Sequence, residues 1–186
     1  MKSPKKVINH IVDWLIKYSN KSKTNGFVIG ISGGVDSAIV STLCALTNKN
    51  VLCLEMSIHQ NKNEQKRSSD HINWLEKNFP NVRHYKISLS EIFDLFKAKM
   101  PIEIQDNEKQ LLSLANSRAR LRMTTLYYFA SLNNYLVAGT GNKVEDFGVG
   151  FYTKYGDGGV DISPIADLLK SEVYILAKYL KIIKSI

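Results

Sequence analysis

One short segment near the amino end of the chain constrains the fold more than any other stretch. Residues 27–38 read FVIGISGGVDSA, an apolar run followed by a glycine turn and then by helix-forming residues. A buried strand that enters a helix through such a turn presents backbone N–H groups and a helix N-terminus, and both are suited to bind phosphate. We therefore predict a strand–turn–helix unit with a phosphate site at the turn.

The turn itself, SGGVDS at 32–37, differs from the common P-loop because no Lys-Ser or Lys-Thr pair follows its glycines. It carries an acid, Asp36, in place of the lysine. An acid next to phosphates is repelled unless a cation lies between them, so Asp36 indicates a bound Mg²⁺. The plainer alternative is a glycine–serine turn that only ends a core strand.

Strands and helices alternate along the whole chain. Apolar residues at helical spacing predict a first amphipathic helix over about 4–19. The predicted strands are 27–32, 51–56, 82–89 and 135–140, and the further predicted helices are 35–47, 63–78, 91–99 with Ser90 as its cap, 108–132, and one from about 168 with Asp167 as its cap.

Continuously apolar strands that alternate with helices predict an α/β fold, a doubly wound parallel sheet with helices on both faces. Ligands bind such sheets at the carboxyl ends of the strands. The glycine-rich turns after the first and the fourth predicted strands both lie at such ends, so we expect them to line one crevice.

Composition narrows the class of protein. The chain has 186 residues, of which 44% are hydrophobic, enough for one domain with a real core. No apolar run approaches the ~20 residues that span a bilayer, and the basic start, followed by an amphipathic segment, is not a signal peptide. Cys44 and Cys53 lie in apolar surroundings without metal-ligand spacing, which predicts reduced core thiols in a cytoplasmic protein.

The formal net charge of +8 has two explanations. A basic surface binds nucleic acid, or basic residues line a site for anionic nucleotides. The lysines are spread along the chain without a compact run or interleaved aromatic residues, which favours a solvated surface for most of them.

A second informative block, NSRARLRM at 116–123, lies in the long predicted helix. Helical spacing puts Arg118 and Arg122 on one face, and Asn116, Arg120 and Thr124 on another. Three arginines there predict either salt bridges to acidic neighbours or contacts to an anionic ligand or a partner subunit. The neighbours that suggest a buried side are Leu112, Ala115, Ala119, Met123 and Leu126.

Five blocks together carry a resemblance to a known family. They are SGGVDS at 32–37, NSRARLRM at 116–123, GTGNKVE at 139–145, GFYTKYGDGGVD at 150–161 and PIADLLK at 164–170. The first resembles the pyrophosphate loop of the N-type ATP pyrophosphatases. All five, in this order and approximate spacing, resemble the NAD synthetases over essentially the whole chain.

The resemblance implies a fold and a reaction. The fold would be Rossmann-like, of the adenine nucleotide α-hydrolase-like type, with residues 1–186 as a single catalytic domain. The reaction would be that of an ammonia-dependent ligase. ATP adenylates the pyridine carboxylate of deamido-NAD and releases pyrophosphate, and ammonia then displaces AMP to give NAD.

The resemblance also implies roles for single residues. Asp36 and Glu145 would hold Mg²⁺, and Asp157 and Lys170 are the catalytic candidates, with Asp157 orienting the substrate. Arg120, Lys154 and Asp161 match positions that contact deamido-NAD. The ATP contacts would be Gly30, Ile31, Ser32, Gly33, Gly34, Val35, Asp36, Ser37, Thr140 and Lys170.

Plainer interpretations stay open for three of these residues. The alternative for Glu145 is an acid that stabilises a helix N-terminus. The alternative for Lys170 is a solvated cation, and for Asp161 it is a residue that caps a turn. The four histidines, His10, His59, His71 and His84, match no motif, and we expect them on the surface or in packing contacts.

Partners follow from the same resemblance. The family is typically a homodimer, and we expect neither nucleic acid nor membrane as a partner. We expect direct use of ammonia, or of ammonia delivered by another protein, because only a helix and a short connection precede Phe27, where glutamine-dependent members carry a nitrilase-like domain. NAD synthetases continue past residue 186, so we expect the chain alone to be weakly active or inactive while keeping the nucleotide-binding core.

Two alternatives remain at this point. One is another adenylating enzyme of the superfamily, such as a tRNA-thiolating enzyme, which would use the positive charge but calls for catalytic cysteines. The other is an inactive nucleotide-binding fragment or scaffold.

Overall fold

The computed structural model describes residues 3–101, 107–148, 150–183 and 185–186. The strands in this part of the chain are β1 (Gly26–Gly30), β2 (Asn50–Ser57), β3 (Val82–Ser88) and β4 (Tyr135–Val137). The helices are α1 (Pro4–Lys21), α2 (Val35–Ala45), α3 (Lys62–Asn78), α4 (Ser90–Lys99), α5 (Asn107–Asn133), α6 (Lys143–Phe147) and α7 (Lys170–Tyr179).

The four strands form one parallel sheet in the order β3-β2-β1-β4. This confirms the predicted α/β class with a parallel sheet. The two interior strands, β1 and β2, are the most continuously apolar, as expected for strands that are covered on both faces. Because β1 pairs with β4, the turns that leave their carboxyl ends start side by side.

Two hydrophobic cores lie on opposite faces of the sheet. Alternate residues of β1 supply them: Phe27 and Ile29 point to one core and Val28 to the other. The first core packs α1, α2, α3 and α7 against the sheet, with members such as Leu15, Ile39, Leu43, Leu75 and Leu176. The second packs α4 and α5 through Phe93 and Ala130. Helices therefore cover both faces, as predicted.

Three predicted boundaries or caps differ from the structure. β4 ends at Val137, since the chain then turns to pair Ala138 with Ile162. Ser90 does not cap α4; its hydroxyl accepts a hydrogen bond from the His59 N–H at 3.2 Å. Asp167 does not cap the last helix, which begins at Lys170.

The cysteines and one histidine belong to the packing. Cys44 and Cys53 are free and buried, and burial raises the pKa of both thiols, to about 12 for Cys53. His71 is wholly buried, with its Nε2 at 3.0 Å from Ser41 Oγ, and burial lowers its pKa to about 4. The prediction of reduced core thiols is consistent with these positions. In the described part of the chain, every helix is too short or too polar to cross a membrane.

Candidate active site

The turn after β1, residues 32–37 and hereafter the phosphate loop, is held by its own hydroxyl groups. Ser37 donates a hydrogen bond to the Gly34 carbonyl at 2.9 Å, and the Ser32 and Ser37 hydroxyl oxygens lie 3.1 Å apart. Ser32 Oγ also accepts from the Gly34 N–H at 3.2 Å. The loop is therefore fixed before any ligand arrives.

Gly33 is required by the path of this loop. Its φ is +81°, a left-handed conformation that favours glycine. A Cβ atom at this position would lie 2.7 Å from the backbone oxygen of Glu64. The Gly33 carbonyl in turn accepts a hydrogen bond from Arg67 Nε at 3.1 Å, which ties the loop to α3.

Helix α2 begins within the loop, at Val35, and aims its N-terminus at the same space. Its N-cap is Gly34, which has no side chain to satisfy the first N–H groups of the helix. Unsatisfied N–H groups and the helix dipole together attract an anion. The sequence prediction of a strand, a turn and a helix in phosphate-binding order is confirmed in its geometry.

Three charged side chains converge beside the loop. Asp36 in the first turn of α2 accepts a hydrogen bond from the ammonium group of Lys170, the first residue of α7. Glu145 on α6 contacts the same ammonium, with Oε1 at 3.5 Å from Nζ. Burial lowers the pKa of Lys170, but Asp36 and Glu145 outweigh this effect, and the net pKa is raised.

This arrangement fits a divalent cation. The two carboxylates already share one cationic group, so they can share a metal ion in its place. No set of three or more His, Cys, Asp or Glu side chains among the described residues forms a complete metal cage. Mg²⁺ is typically held by one or two carboxylates together with substrate phosphate oxygens, which is what this site can offer.

Asn142 connects the two carboxylates, and sequence reasoning missed it. Its side-chain amide donates to Asp36 Oδ1 at 3.1 Å. Its carbonyl oxygen accepts from the N–H groups of Val144 and Glu145, at 3.0 and 3.3 Å, and so caps α6. Asn142 is wholly buried. The position of a cap residue in the GTGNKVE block was the available signal, but α6 itself was not predicted.

A cavity of about 310 Å³ opens at the carboxyl ends of β1, β2 and β4. Both glycine-rich turns line it, with Ser32 on one side and Thr140 on the other, which confirms the prediction of one shared crevice. Its deeper wall is apolar and includes Leu54, Met56 and Leu126. The cavity has a size and lining suited to a planar ring with a polar group at its mouth.

The segment 150–161, which we call the substrate loop after the role that the sequence analysis predicts for it, closes the other side of this cavity and is tied to α5 by polar contacts. The Thr153 hydroxyl donates to Asn116 Oδ1 at 2.7 Å, and Arg120 Nε donates to the Lys154 carbonyl at 3.3 Å. Asp157 accepts from the Thr153 N–H at 2.9 Å and lines the cavity. Three predicted substrate residues, Arg120, Lys154 and Asp157, thus lie in one region.

Asp161 lies at the foot of the same loop, where its carboxylate is used by the protein. Its two oxygens accept from the Tyr127 hydroxyl at 2.9 Å and the Val137 N–H at 2.8 Å. Burial and then this carboxylate raise the pKa of Tyr127 to about 12. Asp161 is therefore bonded to the last residue of β4, and the next residue, Ile162, pairs with Ala138 directly after that strand.

The other two arginines of the NSRARLRM block form no ion pair within the described residues, so the salt-bridge alternative is not realised there. Arg122 Nε donates to the Met56 carbonyl at 3.1 Å, and Arg118 lies over the Phe93 ring at 5.2 Å. Leu112, expected on the buried side of α5, is exposed. That part of the prediction is wrong, because the amino end of the helix extends beyond the second core.

Comparison with known proteins decides the family. The profile of the NAD synthase family matches residues 7–186. The chain belongs to the NAD synthase family. The NH(3)-dependent NAD(+) synthetase of Mycoplasma genitalium is 41% identical over 179 residues, which cover 95% of this chain and 68% of that protein. The chain thus spans about two thirds of the length of this NAD synthase relative.

Solved structures of the family have the same fold. The NMN synthetase of Francisella tularensis superposes with a TM-score of 0.89 at 35% identity, covering 99% of this chain and 73% of that one. The NH3-dependent NAD synthetase of Campylobacter jejuni superposes with a TM-score of 0.85 at 36% identity, covering 97% and 74%. The predicted resemblance to NAD synthetases is confirmed.

Proposed function

We propose that the chain is the catalytic domain of an ammonia-dependent NAD synthetase, which converts deamido-NAD to NAD with ATP and ammonia. The observation that carries the proposal is the convergence of Asp36, Glu145 and Lys170 beside a preformed phosphate loop. Membership of the NAD synthase family and the names of its close relatives support the same reaction.

The chemistry explains why ATP is needed. Ammonia forms only a salt with a free carboxylate. In the proposed reaction, a carboxylate oxygen of deamido-NAD attacks the α-phosphorus of ATP, and pyrophosphate leaves. Ammonia then attacks the activated carbonyl carbon and AMP leaves with the original carboxylate oxygen. Binding both nucleotides in line and neutralising phosphate charge supply most of the rate enhancement in such transfers.

The nucleotide side of the site would bind ATP. The free N–H groups at the start of α2 and the hydroxyls of Ser32 and Ser37 suit the departing pyrophosphate. Asp36 and Glu145 would hold Mg²⁺, which when bound neutralises phosphate charge. Lys170 would move from the two carboxylates to the phosphates, because a metal ion and an ammonium group cannot share that position. The apolar wall beside Thr140 would take the adenine ring.

The substrate loop would bind deamido-NAD. Arg120 and Lys154 supply positive charge for its phosphates or carboxylate, and both side chains are exposed at the loop. Asp157 would orient the nicotinate ring or ammonia near the reacting carbon. Asp161 would act from the foot of the loop, where its bonds to Tyr127 and Val137 set the path of the chain.

Three further expectations belong to the proposal. A homodimer is supported by large exposed apolar side chains along α5, namely Leu111, Leu112, Tyr128 and Leu132. A cytoplasmic location is supported by two buried free thiols. The same burial argues against a thiolating enzyme, since both cysteines are inaccessible and their pKa values are raised.

A second substrate has one specific observation in its favour. The Francisella tularensis relative with a TM-score of 0.89 is an NMN synthetase. The mononucleotide carries the same pyridine carboxylate but lacks the adenylate half. Only contacts to the adenylate half can distinguish the two substrates. An assay in which they compete for the enzyme therefore decides between them.

The test is a product assay with ATP, Mg²⁺, ammonium and either deamido-NAD or nicotinate mononucleotide. Equal amounts of amidated product, AMP and pyrophosphate are expected with deamido-NAD, and Asp36→Ala should abolish all three. The Mycoplasma genitalium enzyme serves as the positive control. Formation of ADP instead of AMP would refute the proposal, and a preference for the mononucleotide would replace the substrate.

A further inference from the structure

Like Lys170, the Asn142 side chain contacts both elements that carry the two carboxylates, but Asn142 is neutral and buried. Its amide nitrogen donates to Asp36 on α2, and its oxygen accepts from the backbone N–H of Glu145 on α6. These contacts use the two ends of one planar amide. A rotation of the side chain would therefore break both at once.

The short helix α6 depends on this contact. It has five residues, too few to be stable alone. Its start is capped by Asn142 Oδ1, and the Lys143 N–H donates to the Leu168 carbonyl at 3.0 Å, just before α7. Asn142 thus determines where Glu145 projects relative to Asp36 and Lys170.

The charges around Asn142 bear on how Asp36 and Glu145 are held. Two acids lie close together here, since Asp36 and Glu145 both contact the ammonium group of Lys170. The hydrogen bond from a buried neutral amide holds one oxygen, Oδ1, and leaves Oδ2 directed at the cation position that Lys170 takes.

We infer that Asn142 is a positioning residue for the metal–nucleotide complex, which fixes Asp36 and Glu145 at the separation that a single divalent cation requires. This inference rests on the proposed function, because it assumes that those two carboxylates hold the metal. Partners that orient metal ligands contribute about 10–100-fold to metal affinity. Asn142 does not touch the substrate itself.

The test is a binding measurement that needs no turnover. Mn²⁺ is titrated into the 186-residue chain with α,β-methylene-ATP, which cannot be split between its α- and β-phosphates, and free Mn²⁺ is followed by electron paramagnetic resonance. Asn142→Ser keeps a residue able to cap α6 but has no amide to reach Asp36. We expect about 10–100-fold weaker Mn²⁺ binding with little change in analogue binding without metal.

Two variants keep the result interpretable. Asn142→Thr also caps helices, fills more of the buried space, and is used if the serine variant does not fold. Asn81→Ser is the matched control, because Asn81 donates to the carbonyls of Ala45 and Lys49 at 3.0 and 2.7 Å at the opposite end of the sheet. It should lower the melting temperature without changing Mn²⁺ affinity.

The outcomes separate this inference from the proposed function. Wild-type Mn²⁺ affinity in both Asn142 variants would overturn the positioning role. Loss of Mn²⁺ binding in Asp36→Asn would in that case still support the proposed metal site. Absence of Mn²⁺ binding by the wild-type chain would overturn both. Equal weakening in Asn81→Ser would also overturn the positioning role, since general destabilisation would then explain it.

Discussion

The two sides of the candidate cavity are built in different ways. On the nucleotide side, every residue of α2 from Ser37 to Ala45 is buried, and the phosphate loop is an extension of that core. On the substrate side, the large side chains are exposed: Phe151 by 54%, Tyr152 by 51% and Tyr155 by 63%. A few hydrogen bonds to α5 hold this loop in place.

The difference separates two tasks. The triphosphate is the same in every turnover of such an enzyme, so its site can be preformed by packing. The second substrate must enter, react and leave as NAD, so its loop is held by contacts that break at low cost. Exposed aromatic rings there suit stacking on planar pyridine and adenine rings. Substitutions on the two sides should therefore have different signatures.

The largest effect is expected from Lys170→Met on the nucleotide side. Lys170 contacts Asp36 and Glu145, and removal of its charge leaves two carboxylates facing each other and the pyrophosphate without a cation from α7. We expect kcat to fall about 10³-fold, in the upper range for loss of one electrostatic contact. The melting temperature should change little, because the side chain is partly exposed.

A matched control for Lys170→Met is Lys66→Met, which breaks the exposed Lys66–Asp70 pair on α3. Steady-state rates with ATP and deamido-NAD should be unaffected by it. Equal losses in both variants would show that general surface charge, and not the carboxylate cluster, matters for turnover.

The next effect concerns the stability of the nucleotide side. His71 packs α3 onto α2, and burial lowers its pKa from 6.5 to about 4. Between these pH values the unfolded chain binds a proton that the folded chain does not. The free energy of unfolding should therefore fall as pH drops from about 6.5 to 4, by about 3 kcal/mol in total.

Urea unfolding at several pH values measures this dependence. His71→Gln should flatten the dependence in that window, because it removes the buried imidazole. An unchanged slope in His71→Gln would contradict the assignment of the pH dependence to the buried imidazole.

The smallest effect is expected on the substrate side. Thr153→Val keeps the shape of a buried side chain but removes its hydrogen bond to Asn116. One such bond contributes about 1 kcal/mol, so the KM for deamido-NAD should rise about fivefold. The KM for ATP should stay the same.

Thr42→Val is the counterpart of Thr153→Val in the core. It removes a buried hydroxyl that bonds to the Ala38 carbonyl within α2. This variant should change the melting temperature more than either KM. If both threonine variants altered the KM values for ATP and deamido-NAD equally, the proposed division between the two sides would be wrong.

Much of the fold was predictable, because the information is local. Continuous apolar strands such as β2 predict a parallel sheet, and the glycine turn after β1 predicts the position of the phosphate loop. The errors arise where distant residues decide. Ser90 bonds to His59 instead of its own helix, and Ala138, directly after β4, pairs with Ile162.

The candidate site was predictable in its parts but not in its connections. The motif resemblance assigned Asp36, Glu145 and Lys170 as ligand contacts, and the structure brings them together. It did not indicate Asn142, because the role of that residue depends on an amide that reaches across 106 positions of sequence to Asp36. Nor did it indicate that Asp161 is bonded to β4.

The central claim is that the carboxylate of deamido-NAD attacks the α-phosphorus of ATP in this cavity. The most direct test uses deamido-NAD with ¹⁸O at both oxygens of its carboxylate, incubated with ATP, Mg²⁺ and ammonium and analysed by mass spectrometry. The account predicts one ¹⁸O atom in each AMP released and none in pyrophosphate. AMP without ¹⁸O would mean that water, and not the substrate, attacks the phosphorus, and would contradict the account.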